Sequence, residues 1–476
     1  MGIAFPETDL EVLRRRGEIV SGLSALVAAE ALVVSEDERR AFETDGLTAY
    51  RRLPMAVVLP SSTAEVSAIM RFCNAHGVKV VARGAGTSLA GGAIPQEDAI
   101  VLGVSKMSRV LGIDFENRTA RVEAGITNLA ISAAVGHEGF FYAPDPSSQL
   151  ACTIAGNIGM NSGGAHCLKY GVTTNNLLGV TLVLLDGSVV EIGGDHLDSA
   201  GLDLLGLVVG SEGQLGIVTE ATVRILRAAE GARPALLGFP SASAAGACVA
   251  AIIGDGIVPV ALEYMDRLAI QITEDFAKAG YPDVEAMLIV EVEGSDAEID
   301  EQLRRIVAIA RQFGVEALRV STSEAESAAI WKGRKSAFGA TGRISDYICM
   351  DGTIPTGQLP LVLRRIDEIV AAEGLRVANV FHAGDGNLHP LILFDINKAG
   401  EMEKAERAGE EILKLCVEVG GCLTGEHGVG IEKRDLMTVQ FSRPDLAQQM
   451  RVRAVFDPRW LLNTAKVFPL DGRIAA

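Results

Sequence analysis

The chain has 476 residues, a formal net charge of −18, 48% apolar and 22% charged residues, and 52 glycines. That length exceeds one ordinary core, and an acidic balance with no long Lys/Arg run excludes nucleic acid as a main partner. Glycine at about 11%, against a usual ~7%, is aperiodic; this rules out collagen and leaves clusters where backbone must approach something closely.

In chain order, the opening MGIAFPETDLEVLRRRGEIV has no unbroken apolar run after a basic start, so a cytoplasmic setting is expected, with a helical segment over 1–50. From Met55 to Arg227 short β-branched runs alternate with glycine-rich loops: MAVVLP, VKVVARG, AIVLGV, TARVEAG, GVTLVLLDGSVVEI and LGIVTEATVRIL. Between them STAEVSAIMRFCNAHG predicts a helix, with an N-cap within Ser61–Ser62–Thr63 and a stop at Gly77. After Arg227 the strands ALLGFPS, IVPVALEYMD, AMLIVEVEGS and ALRVSTS are separated by amphipathic stretches such as DAEIDEQLRRIVAIARQFG. That pattern predicts helices packed on one face of a mostly antiparallel sheet. The longest apolar stretch, Ala245 to Leu262, is broken by Gly254-Asp255-Gly256 and does not read as a membrane span. The expected organisation is α+β: a helical segment over 1–50, a glycine-rich domain over 51–230, a sheet-and-helix domain over 231–429, and a C-terminal helical segment over 430–476 packing back on the first domain. Seven cysteines stand singly with no C-x-x-C, against a disulfide framework, a structural zinc site or an internal iron–sulfur cluster.

Three glycine blocks carry the first chemical signal. In VKVVARGAGTSLAGG a strand runs into Arg83-Gly84-Ala85-Gly86-Thr87-Ser88, where successive backbone N–H groups form an anion nest and two hydroxyls add donors for a pyrophosphate. It is not a Rossmann fingerprint, because Leu89 stands where the third glycine is needed; taken alone, a tight glycine loop between strands reads equally well. In APDPSSQLACTIAGNIGMNSGG, the residues Pro144, Asp145, Ser148, Thr153, Gly156, Asn157, Ser162 and Gly163 are small or polar, as a flat three-ring system requires at its edges. The third block, GSEGQLGIVTEATVRI, sets Glu212, Gly213, Gly216 and Ile217 at the head of a strand. Together the blocks resemble the FAD domain of vanillyl-alcohol-oxidase-type flavoproteins over about 170 residues. The resemblance implies FAD with its pyrophosphate on Arg83 to Ser88. No His or Cys in the Gly84–Gly92 loop offers a covalent attachment, so noncovalent FAD is expected.

The stretch NVFHAGDGNLHPLILFD carries the second signal. Two apolar strands flank the turn Gly384-Asp385-Gly386-Asn387, so a symmetric hairpin sets His382 and His389 opposite one another on one face, with Cβ atoms about 5 Å apart. Glu426, in GGCLTGEHGVGIEK, is an available third ligand, and two histidines with one carboxylate suit a catalytic zinc, manganese or iron, zinc or manganese first. His427 beside it is a candidate acid/base, although a role in orienting Glu426 is the open alternative.

These motifs, with WKGRKSAFGATGRISDYICMDGTIP, resemble the FAD-linked 2-hydroxy acid dehydrogenases (the glycolate oxidase catalytic subunit, D-lactate dehydrogenase and D-2-hydroxyglutarate dehydrogenase) over nearly the whole chain. The resemblance implies His382, His389 and Glu426 as metal ligands, His427 as acid/base and Arg334 as partner of the substrate carboxylate, with Asn387 joining the catalytic set. It also puts Asn463 and Lys466, in Asn463-Thr464-Ala465-Lys466, on the flavin side, where the family carries N-P-G-K and the turn geometry is left open. Cys349 and Leu391 replace a lysine and an asparagine of the hydroxyglutarate enzymes, which favours a smaller monocarboxylate such as glycolate or D-lactate. Electrons are expected to pass to a protein acceptor or carrier, an iron–sulfur partner subunit among the candidates. A homodimer, and attachment to the inner membrane through a partner, stay open. The rival readings are a D-2-hydroxyglutarate enzyme, a non-catalytic FAD-binding electron-transfer subunit and a flavin-free metallohydrolase.

Overall fold

A computed structural model describes residues 3–196 and 201–470. It divides into two compact units, neither contiguous in sequence. The glycine-loop unit comprises Ile3–Gly163, Gly171–Ala228 and the chain from Glu426 onward. The histidine unit comprises Gly164–Tyr170 and Ala229–Gly425.

The glycine-loop unit holds two sheets and a small ribbon. The first sheet contains β1 (Leu32–Val33), β2 (Ala56–Val58), β3 (Lys79–Arg83) and β4 (Ala99–Gly103) in the order β1-β2-β4-β3, with β2, β4 and β3 parallel. Its crossover helix Thr63–His76 is N-capped by the Ser62 side chain and ends at Gly77 in the left-handed region, as the sequence predicts. Val66, Ile69, Met70 and Cys73, at helical spacing, bury one face of that helix against Val80, Ile100 and Leu102. The outer side of β3 is taken up by the C-terminal chain: Val80 N–H donates to Leu461 O at 2.9 Å, and Asn463 N–H donates to Val80 O at 2.8 Å.

The second sheet is antiparallel: β5 (Val110–Asp114), β6 (Thr119–Glu123), β8 (Leu177–Val183), β9 (Val189–Gly193) and β10 (Ile217–Arg224), in the order β5-β6-β10-β8-β9. Strands β7 (Phe140–Phe141) and β11 (Leu226–Arg227) form the separate ribbon.

In the histidine unit every strand pairing is antiparallel. Strands β12 (Gly231–Phe239), β13 (Ala261–Asp266), β14 (Ala286–Gly294) and β15 (Ala317–Val320) run in the order β15-β12-β14-β13, and β13 continues onto β18 (Arg376–His382). The Ala286–Val292 run is buried throughout, so β14 is a central strand covered on both faces. Shorter strands complete the sheet: β16 (Asp346–Cys349), β17 (Gly352–Thr353), β19 (Asn387–Leu388) and β20 (Pro390–Phe394). The expected amphipathic helix is Asp296–Gln312, which buries Ile299, Leu303, Ile306 and Ala310.

Two segments fall elsewhere than the sequence suggests. Residues 426–429 belong with the glycine-loop unit, because Val429 and Gly430 donate backbone N–H bonds to Glu212 there. Residues 164–170 fold with the histidine unit, where Lys169 Nζ meets Glu293 at 2.8 Å and His166 Nε2 lies 3.3 Å from Glu291.

Candidate active site

In the glycine-loop unit the loop after β3 leaves the carboxyl end of a parallel strand, the usual place for a ligand in an open α/β sheet. No acceptor is found among the described residues for the backbone N–H groups of Gly84, Ala85, Gly86, Thr87 and Ser88, and the loop is half-buried. Consecutive N–H groups without a partner are the donor set that an anion such as a pyrophosphate requires. Gly84 lies so close to the next block that a Cβ would sit 2.2 Å from Thr153 Oγ1 and 3.4 Å from Gly156 N. Thr153 in turn caps the helix Ile154–Met160 by accepting from Gly156 N–H.

Pro144, Asp145 and Ser148 lie in the loop after β7, and Asn128 ties this loop to the capped helix. Its Nδ2 donates to Pro144 O at 2.8 Å, and its Oδ1 accepts from Asn157. Ser162 O accepts from Thr173 N–H at 3.0 Å, next to Gly163, while Gly216 and Ile217 open β10.

Two residues of this set point elsewhere than at the loop's anion nest. Arg83 folds its guanidinium back over Gly86 (φ +73°), and Nη1 donates to Thr44 O at 2.7 Å. Burial lowers its pKa while Asp45 pulls it back up. Ser88 Oγ donates to His427 O at 3.2 Å.

Glu212, in the left-handed region at φ +51°, spends both carboxylate oxygens on Val429 N–H (2.6 Å) and Gly430 N–H (2.9 Å). Asn463 Nδ2 donates to Glu212 O, and Lys466 Nζ donates to Asn463 Oδ1 at 2.6 Å. Burial lowers Lys466 to about 7 despite the Asp45 and Glu212 carboxylates. The N-T-A-K turn keeps a left-handed residue where the family has glycine: Ala465 has φ +64°.

In the histidine unit the hairpin register differs from the symmetric expectation. His382 pairs with Asn387, and Asn379 pairs with Pro390, so the turn is Ala383–Gly386 instead of Gly384–Asn387. Gly386 (φ +78°) and the Asp385 carboxylate, which accepts from Asn387 N–H at 3.1 Å, set that turn. His389 is therefore a diagonal neighbour of His382, two residues from the directly opposite position. An even shift keeps both on one face. The ring centroids are 5.2 Å apart at 88°, and ligand nitrogens of the two lie within 4.8 Å of each other.

Both imidazoles turn Nδ1 toward an acceptor. His382 Nδ1 is 2.7 Å from Glu263 Oε1, its partner across β13 and β18, and His389 Nδ1 is 3.3 Å from Met350 O. With Nδ1–H donating to these acceptors, a neutral ring would carry its lone pair on Nε2. Glu263, wholly buried, also holds Arg334 Nη2 at 2.6 Å, from the helix Glu324–Gly342. Burial alone raises the Glu263 carboxyl, but His382 and Arg334 outweigh it and hold the group below the ordinary glutamate value. The sequence reading missed Glu263. The only signal was one carboxylate inside the buried strand ALEYM.

Asn387 Oδ1 has no hydrogen-bond partner among the described residues, and a Cβ at Gly425 would lie 2.3 Å from it. Gly425 N–H donates to Asp351 O at 2.9 Å, and Thr424 Oγ1 donates to Asp351 Oδ2 at 2.6 Å. One peptide bond further on the chain enters the other unit with Glu426 and His427, whose Oε1 and Nε2 are 4.0 Å apart. Cys349 and Leu391, the two departures from the hydroxyglutarate pattern, are register partners on β16 and β20, and both are buried.

A donor-lined glycine loop in one unit and a buried imidazole pair on an antiparallel sheet in the other define a flavin-linked redox enzyme. The chain belongs to the FAD-linked oxidase family: the family described as "FAD linked oxidases, C-terminal domain" matches residues 229–467, and "FAD binding domain" matches 54–193. It is similar to "Glycolate oxidase subunit GlcD" of Escherichia coli (strain K12), at 48% identity over 99% of this chain and 94% of that protein. It is also similar to "D-lactate dehydrogenase" of Archaeoglobus fulgidus, at 34% identity over 90% of this chain and 95% of that one. Among solved structures, p-cresol methylhydroxylase with bound substrate has the same fold, with TM-score 0.79 at 16% identity, covering 95% of this chain and 97% of that one.

Proposed function

We propose that this FAD-linked oxidoreductase oxidises a small 2-hydroxy monocarboxylate, glycolate or D-lactate, to the 2-oxo acid. FAD is held noncovalently, and a divalent metal, zinc or manganese, is held by His382, His389 and Glu426. The observation that carries the reading is the buried imidazole pair with both Nδ1 edges engaged, linked to Arg334 through Glu263. Two imidazoles and a carboxylate suit a divalent ion that keeps coordination positions open. Such an ion supplies Lewis acidity toward the substrate hydroxyl. The bound flavin supplies a two-electron acceptor.

The chain's own groups do the rest. Arg334 Nη2 is committed to Glu263, and Nε beside it on the same guanidinium edge, with no partner among the described residues, is the donor left for the substrate carboxylate. An imidazole nitrogen of His427 takes the hydroxyl proton as the C2–H bond breaks and C2=O forms. Leu391 lies two residues beyond His389 on the same face, with Cys349 across from it. A second substrate carboxylate there would be buried without a counter-charge, which favours a monocarboxylate.

Electrons pass to a protein acceptor or carrier, an iron–sulfur partner subunit among the candidates, in the cytoplasm or at the inner membrane through a partner. The test is a stereochemically defined panel of 2-hydroxy acids with an artificial acceptor, together with elemental analysis. Fastest turnover of glycolate or D-lactate and about one metal per chain are expected. A preference for 2-hydroxyglutarate would overturn the monocarboxylate reading, and full activity in metal-free enzyme would overturn the metal site.

A further inference from the structure

We infer that Glu212 is a positioning residue, a clasp for the loop that carries Glu426 and His427, and not a flavin ligand. The inference rests on the proposed roles of those two residues. Its first support is that the carboxylate is spent: both oxygens accept backbone N–H bonds from Val429 and Gly430, at 2.6 and 2.9 Å. Two successive N–H groups beside Gly428 (φ +83°) and Gly430 (φ +52°) form an anion nest, and the anion it holds is a side chain 217 residues away.

Its second support is the fit around the nest. A Cβ at Gly428 would lie 2.9 Å from Glu212 Oε1 and 2.6 Å from Met160 Sδ, and one at Gly430 would lie 2.0 Å from Ala90 O. The loop is packed closely against Glu212, Met160 and Ala90. Further bonds fix the same segment: Ser88 Oγ to His427 O at 3.2 Å, Lys433 Nζ to Gly428 O at 3.0 Å, and Ile431 N–H to Ala90 O at 2.9 Å. Of these groups only Glu212 offers two acceptor oxygens to one turn of backbone; burial raises its carboxyl pKa, and the two N–H bonds pull it back toward the charged form.

Its third support is the brace behind Glu212. This residue sits in a left-handed conformation that costs a non-glycine residue strain, and Asn463 and Lys466 hold it there from the C-terminal turn. A side chain held at that expense, with its head on the loop, sets where His427 stands relative to its own carbonyl anchor on Ser88. Glu212 therefore acts through the loop, one step removed from the reacting atoms.

The test uses the FAD-loaded full-length enzyme and three forms: wild type, Glu212→Gln and Gly428→Ala. Hydrogen–deuterium exchange is followed in peptides covering Val429 and Gly430, alongside FAD affinity, kcat and KM. In the wild type both amides should be protected. Glu212→Gln, which removes one acceptor and the charge, should speed their exchange by about tenfold or more and leave FAD affinity within about threefold. Its kcat should fall more than its KM rises. Gly428→Ala disturbs the same nest from the loop side, and the double variant should be little worse than the poorer single one. Unprotected amides in the wild type, or unchanged exchange in Glu212→Gln, would overturn the clasp. A loss of FAD affinity above tenfold with the loop still protected would make Glu212 a flavin ligand. The exchange readout stands even if Glu426 and His427 prove idle, a question settled separately by metal analysis and by His427→Asn.

Discussion

Glu263→Gln isolates the carboxylate that joins His382 to Arg334. In the native unit that carboxylate is wholly buried, 2.7 Å from His382 Nδ1 and 2.6 Å from Arg334 Nη2. Glutamine keeps the shape and one acceptor oxygen, but its NH2 must face a donor on the other side. A charge-assisted bond contributes about 1.5–3 kcal/mol against ~0.5–1.5 for a neutral one, and breaking a buried ion pair costs about 3–5 kcal/mol. The expected loss is about 3 kcal/mol from the histidine unit, or roughly 6–12 °C in the transition of a unit of this size. The second effect is on the metal. With Nδ1 no longer held by an anion, the His382 ring loses both its tautomer lock and some of its basicity. Removal of such an outer partner typically weakens metal binding about 10–100-fold. Competition against a fluorescent chelator measures the affinity, and calorimetry of the metal-free protein measures the stability separately. Metal affinity within threefold of wild type, together with an unshifted transition, would refute the view that Glu263 orients His382.

Other expectations follow from the two units. His427→Asn should slow flavin reduction by about 10²–10⁴-fold in stopped flow while metal and FAD contents stay near wild type; metal loss in that variant would make His427 a structural neighbour of Glu426. Ala465→Gly should raise the melting temperature, because relief of left-handed strain at φ +64°, about 1–2 kcal/mol, exceeds glycine's entropic cost of about 0.5–1 kcal/mol; an unchanged or lowered value would show the turn to be unstrained. Acid precipitation should release intact FAD into the supernatant, and colour kept in the pellet would contradict noncovalent binding. Lys466, lowered by burial to about 7 from 10.5, is neutral in the folded state across the range where the unfolded chain still binds a proton. Its contribution to the stability of flavin-free protein should therefore rise with pH between about 7 and 10.5, and be least favourable below 7. Urea unfolding of wild type against Lys466→Met across that range would show the difference, and a pH-independent gap would contradict the shift.

What was legible in the sequence was local or periodic. Ser62 and Gly77 mark the ends of the first crossover helix because capping chemistry operates within four residues. The sequence puts the histidine pair on one face, as observed, but the pairing register is shifted by two residues from a symmetric hairpin. Face depends only on the parity of the shift, whereas register depends on a turn that Gly386 and Asp385 set together. The bonds of Glu263 and Glu212 are not legible in the sequence, for one shared reason. Their partners lie 119 residues away at His382 and 217 residues away at Val429, and no pattern within a strand announces such a bond. Arg83 shows the reverse case: its place before the glycine loop suggested an anion ligand, while its guanidinium is turned to Thr44.

The junction of β3 with the C-terminal chain has a consequence during synthesis. Val80 waits for Leu461 and Asn463, some 380 residues further on, and Glu212 waits for Val429 and Asn463. At roughly 5–20 residues per second a ribosome needs about 20–75 s to deliver that partner. For that interval the nascent sheet has an open strand edge, and the glycine loop lacks the braces of its neighbours. A flavin arriving before Asn463 meets an unfinished cradle, and truncation ahead of Asn463 should give a colourless, aggregation-prone product.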